Sequence, residues 1–197
     1  MKKEQAILFV ARMCLVHLVF AFAGWIWETI HVSILAGGFV DRSFLLGPIC
    51  PIYGLTIIIA YLAIGTPKKP RGLLSVAKNK WYKYPLYTIA AVALPTIAEL
   101  IIGIGFDVIF GVRLWDYSHY SITLFGTQIP LHFKGYIALP ISLIWLALIF
   151  ISMSFLVPCL LKLMEKIPPK PTKITALALA SIMTLDIIIS SILALLA

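Results

Sequence analysis

Long apolar runs, separated by short clusters of glycine, proline and charge, organise this chain. The first covers residues 6–35, enough at about 1.5 Å per residue to cross a bilayer with tilt and carry Trp25 and Trp27 to the far interface, and Gly37-Gly38 ends it. Residues 44–49 are apolar but too short to cross. Bracketed by Gly47-Pro48 and Pro51, they predict a re-entrant or interfacial turn, tolerated at membrane depth only where protein or water satisfies its backbone. A short helix over residues 52–64 returns the chain, and residues 66–84, with their prolines, lysines and the aromatic belt of Trp81, Tyr82 and Tyr84, predict a surface connection. A third span is expected over residues 85–106 and a fourth over 134–164, kinked at Pro140 or Pro158. Between them lies a connection over 107–131, rich in Gly, Ser, Thr and aromatics and long enough to fold over a site. The Pro168-Pro169-Lys170-Pro171 stretch ends the fourth span, and a last one covers 174–196. The expectation is an all-α polytopic membrane helix bundle of about five transmembrane helices with re-entrant or interfacial segments, forming a single integral membrane domain over 1–197.

Composition agrees. Hydrophobic residues make up 61% of the chain and charged residues 12%, with a mean hydropathy of +1.03, far from the values of soluble domains. A net charge of +8 would suggest nucleic acid in a soluble protein, but the placement of the sixteen basic residues excludes that reading. Lys2, Lys3 and Arg12 open the first run, Lys68, Lys69, Arg71, Lys78, Lys80 and Lys83 fill one connection, and Lys162, Lys166, Lys170 and Lys173 fill another. Only Arg42, Arg113 and Lys134 fall to the opposite side. This asymmetry predicts a cell-membrane protein with its N-terminus cytoplasmic and its C-terminus outside, the basic clusters meeting anionic lipid headgroups. Cys14, Cys50 and Cys159 are scattered and odd in number, so they read as small hydrophobes rather than a disulfide framework. Ala21-Phe22-Ala23 imitates a signal-peptide cleavage site, but the apolar run continues past it, which predicts an uncleaved first span.

Charge within such a chain marks candidate function. Glu28 precedes Arg42 by fourteen residues, and Glu99 precedes Arg113 by the same interval, 71 positions later, with Phe39 and Phe110 in equivalent places. The recurrence suggests parallel repeat halves over 6–65 and 85–164, with 174–196 appended, and one outward-facing polar site of cross-paired acids and arginines between them. Guanidinium suits bidentate capture of phosphate or carboxylate. The alternative is that these pairs only latch loops to helices. Trp115-Asp116-Tyr117-Ser118, just after Arg113, either lines the mouth of such a site or anchors the loop at the headgroups. Glu28 and His31 have a Glu-x-x-His spacing, but Ile102 stands where a second histidine belongs, and neither that pattern nor His17, His119 and His132 specifies a metal. No cofactor is implied: a phosphate-binding loop with Lys-Ser/Thr and a Gly-x-Ser-x-Gly elbow are both missing from the sequence. Asp186, in the middle of the last span, reads either as an ion-coupling acid or as a carboxyl hydrogen-bonded to Ser181, Thr184 or Ser190.

The segment Phe44-Leu45-Leu46-Gly47-Pro48-Ile49-Cys50-Pro51-Ile52-Tyr53-Gly54, preceded by Phe39, Asp41 and Arg42, together with Trp115-Asp116-Tyr117-Ser118, resembles the ABC-transporter type IV (CmpB) family of bacterial membrane proteins over about residues 20–150. Ser43 stands where that family usually has glycine, Pro130-Leu131-His132 replaces Pro-Phe-Asn, and Tyr136 follows Gly135 where Arg or Gln is usual. The resemblance implies a permease component of an ABC-type transporter that relies on a separate cytoplasmic ATPase, docked on the connection from Lys68 to Lys83. The candidate polar-site residues are Glu28, Arg42, Tyr53, Glu99, Arg113, Trp115, Asp116, Tyr117 and His132. Membrane lipids and a second copy of the chain are further candidate partners. Two other readings stand beside this one: an intramembrane enzyme acting on lipid or lipid-linked substrates at the outer leaflet, with an acid as general base, and an assembly protein whose polar cluster is architectural.

Overall fold

Apolar side chains cover both faces of the long helices because, in a bilayer, the solvent outside the bundle is as apolar as its interior. In the computed structural model, which describes residues 2–76 and 79–196, four helices are long and apolar enough to cross a membrane. They are α1 (Lys2–Ala36), α4 (Lys80–Phe110), the composite helix Leu139–Met164 and α7 (Pro169–Leu196). The shorter α2 (Pro51–Ala63) and the four-residue α3 (Leu73–Val76) lie between α1 and α4. The architecture is the expected all-α polytopic membrane bundle. Lys78, counted among the basic residues of the α2–α4 connection, lies outside the described residues.

Helix α1 shows how the sequence sorts its faces. Its buried stripe is Ala11, Met13, Val16, Ala21, Gly24 and Thr29, mostly small residues that let neighbours approach, whereas Trp27, Ile30 and Ile34 face outward. Helix α4 begins earlier than its hydropathy suggests because the Asn79 side chain accepts the Trp81 N–H at 3.0 Å and caps it, which puts Trp81 and Tyr82 on the helix rather than in the connection. It ends at Gly111, whose φ of 65° places it in the left-handed region glycine favours.

Between α4 and the next helix the chain forms two small hairpins that hydropathy does not reveal. Strands β1 (Ser121–Leu124) and β2 (Thr127–Pro130) pair antiparallel around Phe125-Gly126, and β3 (His132–Phe133) pairs with β4 (Ile137–Ala138). Lys134 and Gly135, with φ of 50° and 76°, make the second turn, so α5 (Leu139–Ile151) starts at Leu139 rather than at Lys134. Pro140 sits in the first turn of α5, where its missing N–H costs nothing. Pro158 is different: a π-helical turn, Ser152–Leu156, precedes it and leads into α6 (Val157–Met164). The widened turn accommodates the proline that a regular helix would exclude.

The chain divides into two compact units, residues 1–58 with 156–197 and residues 59–155. In the first, α1 packs on α7: the Cys14 thiol points at the Ala176 carbonyl at 3.8 Å, and Lys173 pairs with Glu4 at 2.9 Å. In the second, α4 packs on α5, with the Thr96 hydroxyl donating to that of Ser142 at 2.9 Å and Tyr87 edge-on to Phe150.

Candidate functional site

A carboxylate low in the hydropathy profile needs donors, and each unit supplies a tyrosine. In the first unit Glu28, two turns before the end of α1, accepts the Tyr53 hydroxyl at 2.8 Å and meets the Arg42 guanidinium at 3.5 Å. Arg42 thus pairs with the acid of its own unit. Its backbone N–H also donates to the Thr29 hydroxyl at 3.4 Å. Beside it, Asp41 accepts the Ser43 N–H at 2.9 Å and the Trp25 indole N–H at 2.7 Å, and those two donors hold its carboxyl below the usual range.

Glycines make these contacts geometrically available. The Tyr53 ring lies where a Cβ on Gly24 would be, and the His17 backbone carbonyl occupies the corresponding place at Gly54, so α1 and α2 meet at glycine backbone on each helix. The Cys50 N–H donates to the Ala21 carbonyl at 3.0 Å and fixes the start of α2 against the middle of α1.

In the second unit Glu99 is nearly fully buried, with 3% exposure, and accepts the Tyr117 hydroxyl at 2.8 Å. The Trp115 indole donates to the Tyr136 carbonyl at 2.8 Å, and the Tyr117 N–H donates to the Gly135 carbonyl at 2.9 Å, which ties the Trp-Asp-Tyr-Ser segment to the β3–β4 turn. Arg113 is placed with Asp116 at 3.8 Å, against the Lys134 carbonyl and over the Tyr136 ring at 5.0 Å. Asp116 accepts the Ser118 N–H at 2.9 Å, the main reason its carboxyl lies below the usual range. Gly135 has no room for a side chain, since a Cβ there would strike Asp116 and the Arg113 guanidinium.

His132, a candidate for the polar site, accepts the Gly135 N–H through Nδ1 at 3.1 Å and braces the hairpin. His31 stacks on Trp27 one helical turn away. Among the described residues no three His, Cys, Asp or Glu side chains come together to hold a metal ion. Sequence reading passed over two partners. Trp25 with Asp41 is one, and the other is Asp107 with Tyr136, whose hydroxyl donates at 2.5 Å and whose pKa that bond raises. Tyr136 carried a signal, because it replaces the polar residue usual after Gly135 in the resembling family.

Each unit therefore holds a carboxylate paired with a phenol and a partly exposed guanidinium nearby, with side-chain exposures of 27% for Arg42 and 40% for Arg113. Guanidinium is the side chain suited to bidentate contact with a phosphate or carboxylate group. The model of the family described as "Putative ABC-transporter type IV" matches residues 15–191 of the chain. No curated protein and no solved structure matches it.

Proposed function

The chain belongs to the ABC-transporter type IV family, a family of membrane proteins, and from that premise we propose that it is the permease-type component of a transport system whose ATPase is a separate protein. The observation that carries this reading is the family match over almost the whole chain. In it, Glu28, Arg42 and Tyr53 of the first unit, and Glu99, Arg113, Trp115, Asp116 and Tyr117 of the second, form outward-facing polar sites for a ligand bearing phosphate or carboxylate. The sidedness rests on charge: thirteen of the sixteen basic residues lie at the start of α1, between Lys68 and Lys83 around the start of α4, and between Lys162 and Lys173 around the end of α6 and the start of α7, and by the positive-inside rule these regions and the N-terminus face the cytoplasm and the C-terminus the outside.

The ATPase docks on the connection from Lys68 to Lys83. What supports this is a firm framework under exposed charge. Arg71 lies over the Tyr61 ring at 4.3 Å and donates to its hydroxyl at 3.2 Å, and the buried Tyr87 donates to the Gly65 carbonyl at 3.0 Å, while Lys68 and Lys69 stand exposed. Replacing Lys68 and Lys69 by Glu is expected to abolish co-purification of a cytoplasmic ATPase while leaving the helical content unchanged. Undiminished association after the charge reversal would overturn the docking assignment.

A further inference from the structure

Residues 42–50 form a non-helical loop between α1 and α2, and Arg42 at its start and Tyr53 in the first turn of α2 meet at one carboxylate, Glu28. The loop's apex meets another. Asp186 of α7 accepts the Leu46 N–H through Oδ1 at 2.9 Å and the Gly47 N–H through Oδ2 at 2.8 Å, and the Ser190 hydroxyl, one turn on, donates to Oδ1 at 2.9 Å. Within the loop the Ser43 hydroxyl accepts the Leu45 N–H at 3.0 Å and reaches the Gly47 and Ile49 carbonyls at 2.7 and 2.8 Å. Ser43 thus staples the turn internally where the resembling family usually has glycine.

These contacts answer the question of what Asp186 does. Both oxygens of Asp186 are engaged by N–H donors of the loop. Irregular backbone at membrane depth must find partners within the protein, and consecutive amide N–H groups are a recognised cradle for an anion. Two carboxylates therefore define the loop, Glu28 at its feet and Asp186 at its apex.

We infer that Asp186 is a positioning residue: it latches the apex of the 42–50 loop and so sets where Arg42, at its start, and Tyr53, in the first turn of α2, stand relative to Glu28. Its bearing on ligand capture rests on the proposed polar site, but the latch itself stands on the hydrogen bonds and is testable apart from any transport activity. Gly47 gives a second handle on the same contact, because a Cβ there would lie 3.0 Å from Asp186 Oδ2 and press the loop away.

Two native thiols read the result. Cys50 lies at the end of the loop, buried, with its thiol toward the Arg42 carbonyl at 3.5 Å, whereas Cys14 reports the α1–α7 packing through Ala176. The full chain, in lipid nanodiscs, is treated with a water-soluble maleimide and the labelled peptides are quantified by mass spectrometry over time. Loss of two charge-assisted bonds in Asp186→Ala is expected to raise the Cys50 labelling rate about tenfold or more with the Cys14 rate unchanged, Asp186→Asn giving a smaller rise. Gly47→Ala is expected to raise it about threefold. An unchanged Cys50 rate in all three variants overturns the latch. Should Asp186→Ala accelerate Cys14 as well, it has loosened α7 as a whole and Gly47→Ala decides: a Cys50-selective rise supports the latch, and none overturns it.

Discussion

Glu28 and Arg42 form the charge pair of the first candidate site, and its strength follows from its setting. At 3.5 Å, unit charges in an effective dielectric of about 20 attract by about 5 kcal/mol. The side chains keep 26% and 27% of their exposure, so water competes for both, and returning part of their hydration cuts the net coupling to about 1–2 kcal/mol. The informative perturbation is Glu28→Gln, Arg42→Gln and the double variant. Gln at position 28 keeps an oxygen for the Tyr53 hydroxyl, which now stands 2.8 Å from Glu28, so the cycle isolates the charge term from the phenol bond. Reversible unfolding in mixed micelles, followed by circular dichroism, should make each single variant less stable and the double variant less damaging than the two singles combined, by about 1–2 kcal/mol. Additivity within about 0.3 kcal/mol would refute the pairing as the organising contact of this site.

Three further outcomes follow from the same geometry. Gly54→Ala drives a methyl into the His17 backbone carbonyl, which cannot swing aside as a side chain would, so it should cost about 2–3 kcal/mol of stability, while Ala90→Gly, on the partly exposed face of α4, should cost about 1 kcal/mol; equal losses in thermal unfolding would contradict the close approach of α1 and α2. Gly135→Ala combines a φ of 76° with a collision at Asp116 and Arg113, and a lower melting temperature accompanied by a changed Trp115 emission is expected; an unaltered spectrum counts against that turn as the organiser of the second site. Asp41 has its carboxyl held below the usual range by the Ser43 and Trp25 N–H groups, so the stabilisation it gives is complete above about pH 4 and is lost as pH falls through its lower folded value. Trp25 emission, assigned by difference from Trp25→Phe, should shift over that acidic window and lose the shift in Asp41→Asn.

How much of this was legible beforehand depends on whether the partner lies near in sequence. Helix α1, the Gly37 stop, the turn around Gly47-Pro48 and the return through α2 are local consequences of hydropathy and of glycine and proline, and the sequence predicts each. The hairpin at Phe125-Gly126 did carry a faint signal, a two-residue turn between β-branched runs, but apolar residues on both sides hid the alternation. Lys134 looked like the start of a span because everything after it is apolar, yet Gly135 beside it lets the chain turn back with a positive φ. Glu28, Arg42, Glu99 and Arg113 stand out by charge alone, but which donor each acid takes does not, since Tyr53 and Tyr117 are ordinary interfacial residues until the fold brings them to 2.8 Å. Asp186 is the extreme case. Its nearest polar neighbours in sequence are the serine and threonine residues of its own helix, and only Ser190 among them is its partner, whereas the two amides that occupy it come from about 140 positions earlier.

The central claim, a permease-type component with arginine-lined sites for an anionic ligand, is tested most directly by native mass spectrometry of the protein purified gently from its own membrane, beside Arg42→Gln and Arg113→Gln. The account predicts an ATPase in fixed ratio with the parent chain, and a bound phosphate- or carboxylate-bearing molecule that the arginine variants lose while retaining the ATPase. A solitary chain, carrying a phospholipid or lipid-linked molecule that both variants bind as well as the parent, would contradict it.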